Sequence, residues 1–207
     1  MIAKKRYTKK QILEAIRHWS RVLASVNESK SKFLDACSKE FGEAVVFDDQ
    51  LTFDYSKPNT MKVFELLDTF IFESKLNSIK GLSIFIGDLN ELNPIAAKYN
   101  KNRPIDLSND FALYLPDLDF GRNRLTGKLM MRKNSEAIFV NTDDHQRGTF
   151  AYLLSTVCHE MIHCYDLNFK TLATKTLDLI ERGAPSEVIS YTSHFTPCFK
   201  EKSKLMK

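Results

Sequence analysis

Two histidines four residues apart, with a glutamate beside the first, could bind a metal ion and support hydrolysis. They lie in the segment His159-Glu160-Met161-Ile162-His163. Residues four apart on an α-helix share a face, so both imidazoles can reach one ion. A zinc ion held in this way acidifies a bound water, and a neighbouring carboxylate can take the proton before attack on an amide carbonyl. The spacing therefore predicts a zinc hydrolase with His159 and His163 as ligands and Glu160 as general base.

A catalytic zinc site needs a third protein ligand and leaves the fourth position to water. His194 is the only histidine after the motif, and we favour it as the third ligand. The alternatives are Glu181, Glu187, another ligand, or no metal site at all. Asp166 lies one turn beyond the motif, where its angle suits a hydrogen bond to a ligand better than direct contact with the ion.

The motif is expected on a buried helix that follows a strand. Apolar residues at helical spacing predict a helix over about 148–168. Upstream, the runs 128–132 and 137–142 are separated by Lys133-Asn134-Ser135-Glu136, which predicts an antiparallel hairpin of two short strands. The alternation within 138–142 is typical of a half-buried strand, with one face on the core and the other in solvent.

Further elements are predicted on both sides of this unit. Helices are expected over 8–26, 31–41, 59–79, 171–182 and 198–206, and strands over 82–86 and 111–115. Asn59 is the expected N-cap of the third of these helices, and Pro116 the expected end of the second strand. This order predicts an α+β fold, with a small antiparallel sheet packed on the motif helix. Residues 1–55 are interpreted as a basic helical extension of a domain over 56–207.

The composition is that of an ordinary folded protein. A chain of 207 residues with 43% hydrophobic residues can build one sizeable core. It contains no run of roughly 20 apolar residues, and its N-terminus lacks the apolar segment of a secretory signal. The four cysteines are scattered and form no Cys-x-x-Cys pair. We therefore expect a cytoplasmic protein with reduced thiols.

Basic residues are concentrated in two segments, although the net charge is only +4. The first, within residues 1–21, contains Lys4, Lys5, Arg6, Lys9, Lys10, Arg17 and Arg21. The second, a predicted turn over 122–133, contains Arg122, Arg124, Lys128, Arg132 and Lys133. Clusters of this kind are the electrostatic footprint of a phosphate-backbone binder, and they are also common as plain solvated surface. DNA is thus one candidate partner.

The segment 137–202 resembles the SprT-like zinc metallopeptidases, the Spartan-related family with a minigluzincin-like core. The likeness lies in the strand 137–141, the His159-Glu160-x-x-His163 motif, and His194 about thirty residues later, followed by Phe199-Lys200. The order of elements is similar over roughly residues 60–205. The resemblance implies a zincin-like domain over 56–207 that hydrolyses peptide bonds in proteins, including proteins associated with DNA.

The resemblance also implies roles for individual residues. His194 corresponds to the family's third zinc ligand, and Glu160 to its general base and proton shuttle. In the family the downstream histidine usually opens a His-Gly-x-x-Phe/Trp pattern. Here Phe195 replaces the glycine, and one extra residue separates His194 from Phe199. Tyr191 is a candidate for stabilising the oxyanion, with a packing role as the alternative.

Two other functions are compatible with the same residues. One is a nucleic-acid-binding or protein-interaction module in which the zinc site is structural or vestigial. The other is a metallopeptidase that does not depend on nucleic acid. Glu160→Gln separates catalysis from a structural site, since a structural site does not need the base. Neutralising Lys4, Lys5, Lys9 and Lys10 tests the role of the basic segment.

Overall fold

The fold is known from a computed structural model. It describes residues 27–48, 50–99, 107–143, 148–170, 172–185, 188 and 194. The predicted helices over 8–26 and 198–206 lie outside these residues, as do the lysines of the N-terminal basic segment.

The described residues form the mixed α+β fold that the sequence predicts. In chain order the elements are α1 (27–41), α2 (Glu43–Phe47), α3 (Lys57–Phe70), β1 (Leu82–Gly87), α4 (Leu89–Tyr99), β2 (Ala112–Arg122), β3 (Leu129–Asn141), α5 (Phe150–Phe169) and α6 (Leu172–Glu181). Short 3-10 turns follow α3 and precede β2. The predicted motif helix corresponds to α5, the predicted helix 171–182 to α6, and the predicted strand 82–86 to β1.

The sheet is mixed, so the expectation of an antiparallel sheet was wrong for one of its strand pairs. The strand order is β1-β3-β2, with β2 antiparallel and β1 parallel to β3. Parallel neighbours need a long crossover connection, and the chain between β1 and β3, which includes α4, supplies it.

The predicted hairpin over 128–142 was also wrong in its pairing. The polar residues 133–136 do not form a turn but continue β3 as one strand, which pairs with β2. The turn lies instead between Arg122 and Leu129, where Gly127 has a φ of 67°. Every second residue of β3 from Leu129 to Asn134 is exposed. Polar side chains at these positions face solvent and therefore do not end the strand.

Pro116 lies within β2 and does not end it. In the described residues β2 has no strand on its outer side, and the Tyr114 N–H points away from β3. Pro116, two residues further, faces the same outer edge, so its missing N–H removes no bond between β2 and β3.

Helix α3 begins and ends earlier than predicted. Its N-cap is Ser56 rather than Asn59, with Pro58 in the first turn. It ends at Phe70 because the buried carboxylate of Asp68 accepts hydrogen bonds from the backbone N–H groups of Leu76 and Asn77. These bonds hold the chain in a compact turn instead of a continued helix.

The sheet is covered on both faces, whereas the sequence predicted one solvent-facing side for β3. Ile138 and Val140 belong to the larger apolar core, which α5 joins. Ala137 and Phe139 point the other way and pack with Leu92 of α4, in a second cluster. The alternation in β3 therefore separates two cores and not core from solvent.

The described part of the predicted N-terminal extension packs into the larger core. Phe33, Cys37 and Phe53 belong to the same buried cluster as Phe150 and Val157 of α5. Ring contacts join Phe53 to Phe150 at a centroid distance of 5.3 Å. Phe33, Cys37 and Phe53 thus help to fix the start of the motif helix, and the domain boundary near residue 55 stays a prediction.

Cys37, Cys158 and Cys164 are buried free thiols, and Cys198 lies outside the described residues. Within the described ranges, no helix has the combination of length and apolar character needed to cross a membrane.

Candidate metal centre

Helix α5 carries the motif and is fixed along its length. Its N-cap is Thr149, whose side chain accepts a hydrogen bond from the Tyr152 N–H at 3.3 Å. Beyond the first turns, the helix is buried on several sides, between β2, α6 and the larger core. A helix held in this way fixes the positions of the side chains it presents.

The three predicted histidine ligands lie together. The Nε2 atom of His159 is 3.1 Å from Nε2 of His163 and 3.3 Å from Nε2 of His194. One ligand atom from each of the three lies within 4.8 Å of the others. Tetrahedral zinc with Zn–N bonds near 2.0–2.1 Å requires nitrogen pairs about 3.3 Å apart, so this spacing suits a single ion.

The three histidines could hold a metal ion, and hydrogen bonds alone account poorly for their arrangement. A ring nitrogen has either one N–H or one lone pair in the ring plane, so Nε2 of His159 cannot bond well to two other imidazoles. Burial, reinforced by the neighbouring His159 and His194, lowers the pKa of His163 to about 3. Burial and His194 also lower the pKa of His159. Both rings are therefore neutral near pH 7, which is the form that binds a metal.

Glu160 lies between the histidines and the edge of the sheet. Its Oε2 accepts a hydrogen bond from the backbone N–H of Tyr114 at 2.8 Å. Its Oε1 lies 3.8 Å from Nε2 of His159. One carboxylate oxygen is thus anchored on β2, and the other is held near the histidine cluster.

The environment of Glu160 suits a proton-transfer role. Burial raises its pKa to about 7, opposed by the Tyr114 N–H and reinforced by the carboxylate of Asp110. A carboxyl group with this pKa both accepts and releases a proton near neutral pH.

The histidines and Glu160 line a cleft of about 410 Å³. One wall is formed by β2, including Leu113, Pro116 and Leu118. The facing wall comes from the end of α5 and from α6, including Leu167 and Leu172. A slightly larger cavity of about 480 Å³ lies near Asp54 and Asp88, but no described histidine lines it. The cleft with the histidines is therefore the candidate site.

The other residues that the sequence suggested as metal ligands do not lie with the three histidines in the described part of the chain. Glu181 is exposed, and its Oε1 accepts a hydrogen bond from the backbone N–H of Leu129 at 3.3 Å. Asp166 is buried and outside the three-histidine group. Glu187 and Tyr191 lie outside the described residues.

Sequence reasoning missed two residues that border the site. Tyr114 contributes a backbone N–H to Glu160, and no side-chain pattern indicates such a contact. Glu136 was assigned to a turn, but it is fully buried in β3 and accepts a hydrogen bond from the Tyr114 hydroxyl. A carboxylate flanked by the apolar run 137–140 was the only available sign of its burial.

Comparisons of the chain with known protein families, with curated proteins and with solved structures found no match. The resemblance to SprT-like metallopeptidases therefore stays a prediction.

Proposed function

We propose that this protein is a zinc-dependent endopeptidase with a zincin-like domain. The observation that carries the proposal is the convergence of His159, His163 and His194 beside the anchored carboxylate of Glu160. Three histidines with an open fourth position form a common catalytic zinc site, whereas structural zinc sites are usually closed by four protein ligands. Among the described residues no fourth protein ligand joins the three histidines, which favours catalysis over a structural role.

Zinc is the metal that this ligand set suits best. Neutral imidazoles also bind copper, iron and nickel, but zinc supplies hydrolytic chemistry without a redox change. When bound, zinc would polarise the substrate carbonyl and lower the pKa of a water molecule.

Glu160 is the general base of the proposed reaction. Its Oε1 faces the histidine cluster, so it can take a proton from the attacking water. The raised pKa lets the same oxygen pass that proton to the leaving amine. The hydrogen bond from Tyr114 keeps the other oxygen out of the exchange and fixes the orientation of the carboxylate.

The shape of the cleft supports a peptide substrate. In the described residues β2 has no strand on its outer side, and this edge borders the cleft. An extended peptide can lie along such an edge. Apolar side chains on both walls, Leu118 on one and Leu167 and Leu172 on the other, favour a substrate with an apolar side chain near the scissile bond.

Peptide cleavage and zinc content, measured on the wild type and on Glu160→Gln, test the proposal. We expect about one zinc ion per chain in both proteins and cleavage of an unfolded protein substrate by the wild type alone. Zinc in both proteins without cleavage in either would support the alternative, a non-catalytic module with a structural or vestigial site. Absence of zinc in the wild type would contradict the zinc-dependent peptidase and a structural zinc site.

Association with DNA is a second part of the proposal. The hairpin formed by the ends of β2 and β3, residues 118–132, carries basic groups next to exposed apolar side chains. Phe120, Leu125 and Met130 are exposed, and Arg122, Arg124, Lys128 and Arg132 lie among them. Asp119, opposite Arg132, offsets part of the charge. An exposed ring, Phe120, beside arginines suits single-stranded nucleic acid, through base stacking and phosphate contacts.

Binding to single-stranded DNA at several salt concentrations tests this second part. The variant Arg124→Ala/Arg132→Ala should weaken binding and reduce its salt dependence. Lys62→Ala/Lys98→Ala, with two basic residues removed from other surfaces, is the matched control. Equal binding by both variants would place any DNA contact elsewhere on the chain, or exclude it.

A further inference from the structure

A buried polar cluster lies beside the candidate metal centre, between the sheet and α5. Its centre is Glu136 of β3, a carboxylate with no exposed surface. We define the Glu136 cluster as Glu136 with Tyr114, Lys133, Cys164 and Asn168. Burying a carboxylate away from water costs free energy unless hydrogen bonds and charges in the protein replace its contacts with water. The partners of Glu136 therefore decide why it is tolerated there.

The contacts of Glu136 join three elements. Its Oε2 accepts hydrogen bonds from the Tyr114 hydroxyl of β2 and from Asn168 Nδ2 of α5, the latter at 2.7 Å. Its Oε1 forms an ion pair with Lys133, whose ammonium also donates to Asn168. The Cys164 thiol lies 3.7 Å from Oε2. One carboxylate therefore ties β2, β3 and α5 together.

Tyr114 links this cluster to the general base. Its hydroxyl donates to Glu136, and its backbone N–H donates to Oε2 of Glu160. Burial raises the pKa of the Tyr114 hydroxyl, which keeps its proton available for donation. The two bonds leave opposite ends of one buried residue, so a change at the hydroxyl can reach the N–H through that residue.

We propose that Tyr114 and Glu136 are positioning residues for Glu160. The bond between them holds the Tyr114 N–H against one oxygen of Glu160 and so keeps the other oxygen facing the histidine cluster. The purpose of this arrangement rests on the proposed peptidase function. The coupling of the hydroxyl to the N–H is a property of the chain alone and can be measured separately.

Hydrogen exchange at the amide of residue 114, followed by NMR, measures the coupling. Tyr114→Phe removes only the hydroxyl, and we expect exchange at residue 114 to become about tenfold faster. Glu160→Ala removes the acceptor itself and gives the rate of the released amide. The rate in Tyr114→Phe should lie between those of the wild type and Glu160→Ala.

Tyr55→Phe is the matched control. Tyr55 is also buried, and its hydroxyl donates to the backbone oxygen of Thr149 at 2.8 Å, at the far end of α5. We expect it to leave exchange at residue 114 unchanged. Unchanged exchange in Tyr114→Phe would overturn the inference. An equal increase in both variants would also overturn it, because the effect would then be a general loss of stability.

The catalytic consequence is measured in the same variants. Tyr114→Phe should lower kcat about tenfold with KM within about twofold and zinc content unchanged, whereas Tyr55→Phe should leave all three near wild type. If the wild type binds zinc but cleaves no peptide, the proposed function fails while the exchange rates still decide the coupling. Faster exchange with unchanged kcat would overturn the positioning role.

Discussion

Nε2 of His159 lies 3.3 Å from Nε2 of His194, although the two residues are 35 positions apart in the chain. The pair His159 and His163 is close by virtue of helical spacing alone, so it says little about function. The approach of His194 does not follow from any local pattern. It is therefore the most informative contact of the site, and the one that most needs a direct test.

His194→Ala should remove the third ligand and weaken zinc binding by about 100-fold or more, since even loss of a hydrogen bond to a ligand can cost 10–100-fold. Competition with a zinc chelator measures the change. Glu181→Gln, which alters an exposed carboxylate outside the cluster, should bind zinc like the wild type. Zinc binding that depends on Glu181 and not on His194 would reverse the ligand assignment.

His163 should make the metal-free protein less stable in mild acid, an effect opposed over the same pH range by protonation of Glu160. The pKa of this residue is lowered from 6.5 to about 3 in the folded protein. Below about pH 6.5 the unfolded chain therefore binds a proton that the folded chain does not, and stability decreases as the pH falls toward 3. The slope is at most about 1.4 kcal/mol per pH unit for this one proton.

Urea unfolding of the metal-free protein between pH 7.5 and 5 measures this loss. His163→Gln has no proton to gain, so the free energy of unfolding of the wild type relative to this variant should decrease as the pH falls from 7 to 5. Identical pH dependence in the two proteins would contradict the burial of a neutral imidazole at this position.

Gly148 should tolerate no side chain, because a Cβ atom there would lie 1.9 Å from the Tyr55 hydroxyl oxygen. That hydroxyl is held by its bond to Thr149, so the clash requires the start of α5 to shift. Gly148→Ala should therefore lower the free energy of unfolding by about 1–3 kcal/mol. Gly121→Ala is the control, since a Cβ at Gly121 meets no atom within 4 Å. Equal stability of the two variants would contradict this packing.

The motif helix and the α+β class were predictable because they depend on local patterns. Helical spacing and the Gly148–Thr149 start indicate α5, and the apolar runs indicate β1 and part of β3. The pairing of strands was not predictable, because parallel β1–β3 contact depends on α4 covering the second face of the sheet. Leu92 and Phe139 are 47 positions apart, and no local pattern joins them.

The sequence could predict only those parts of the site that depend on the type of side chain. His159, Glu160 and His163 follow from one motif, and His194 from the need for a third ligand. The Tyr114 N–H is present in any residue, so composition cannot single it out. Glu136 was misassigned because Lys133-Asn134-Ser135-Glu136 has the composition of a turn. Its burial depends on partners in β2 and α5.

Glu160→Gln should abolish peptide cleavage and at the same time stabilise the metal-free protein at alkaline pH. In the folded protein, burial raises the pKa of Glu160 from 4.5 to about 7. The unfolded chain thus loses this proton first, and the stability tied to the protonated carboxyl is lost as the pH rises from 4.5 through 7. A neutral amide avoids this loss and can still accept the Tyr114 hydrogen bond. We expect a gain of about 1–3 kcal/mol at pH 8 and almost none near pH 4.5. Urea unfolding at both pH values measures it, and a variant less stable than wild type at pH 8 would contradict a buried, charged Glu160.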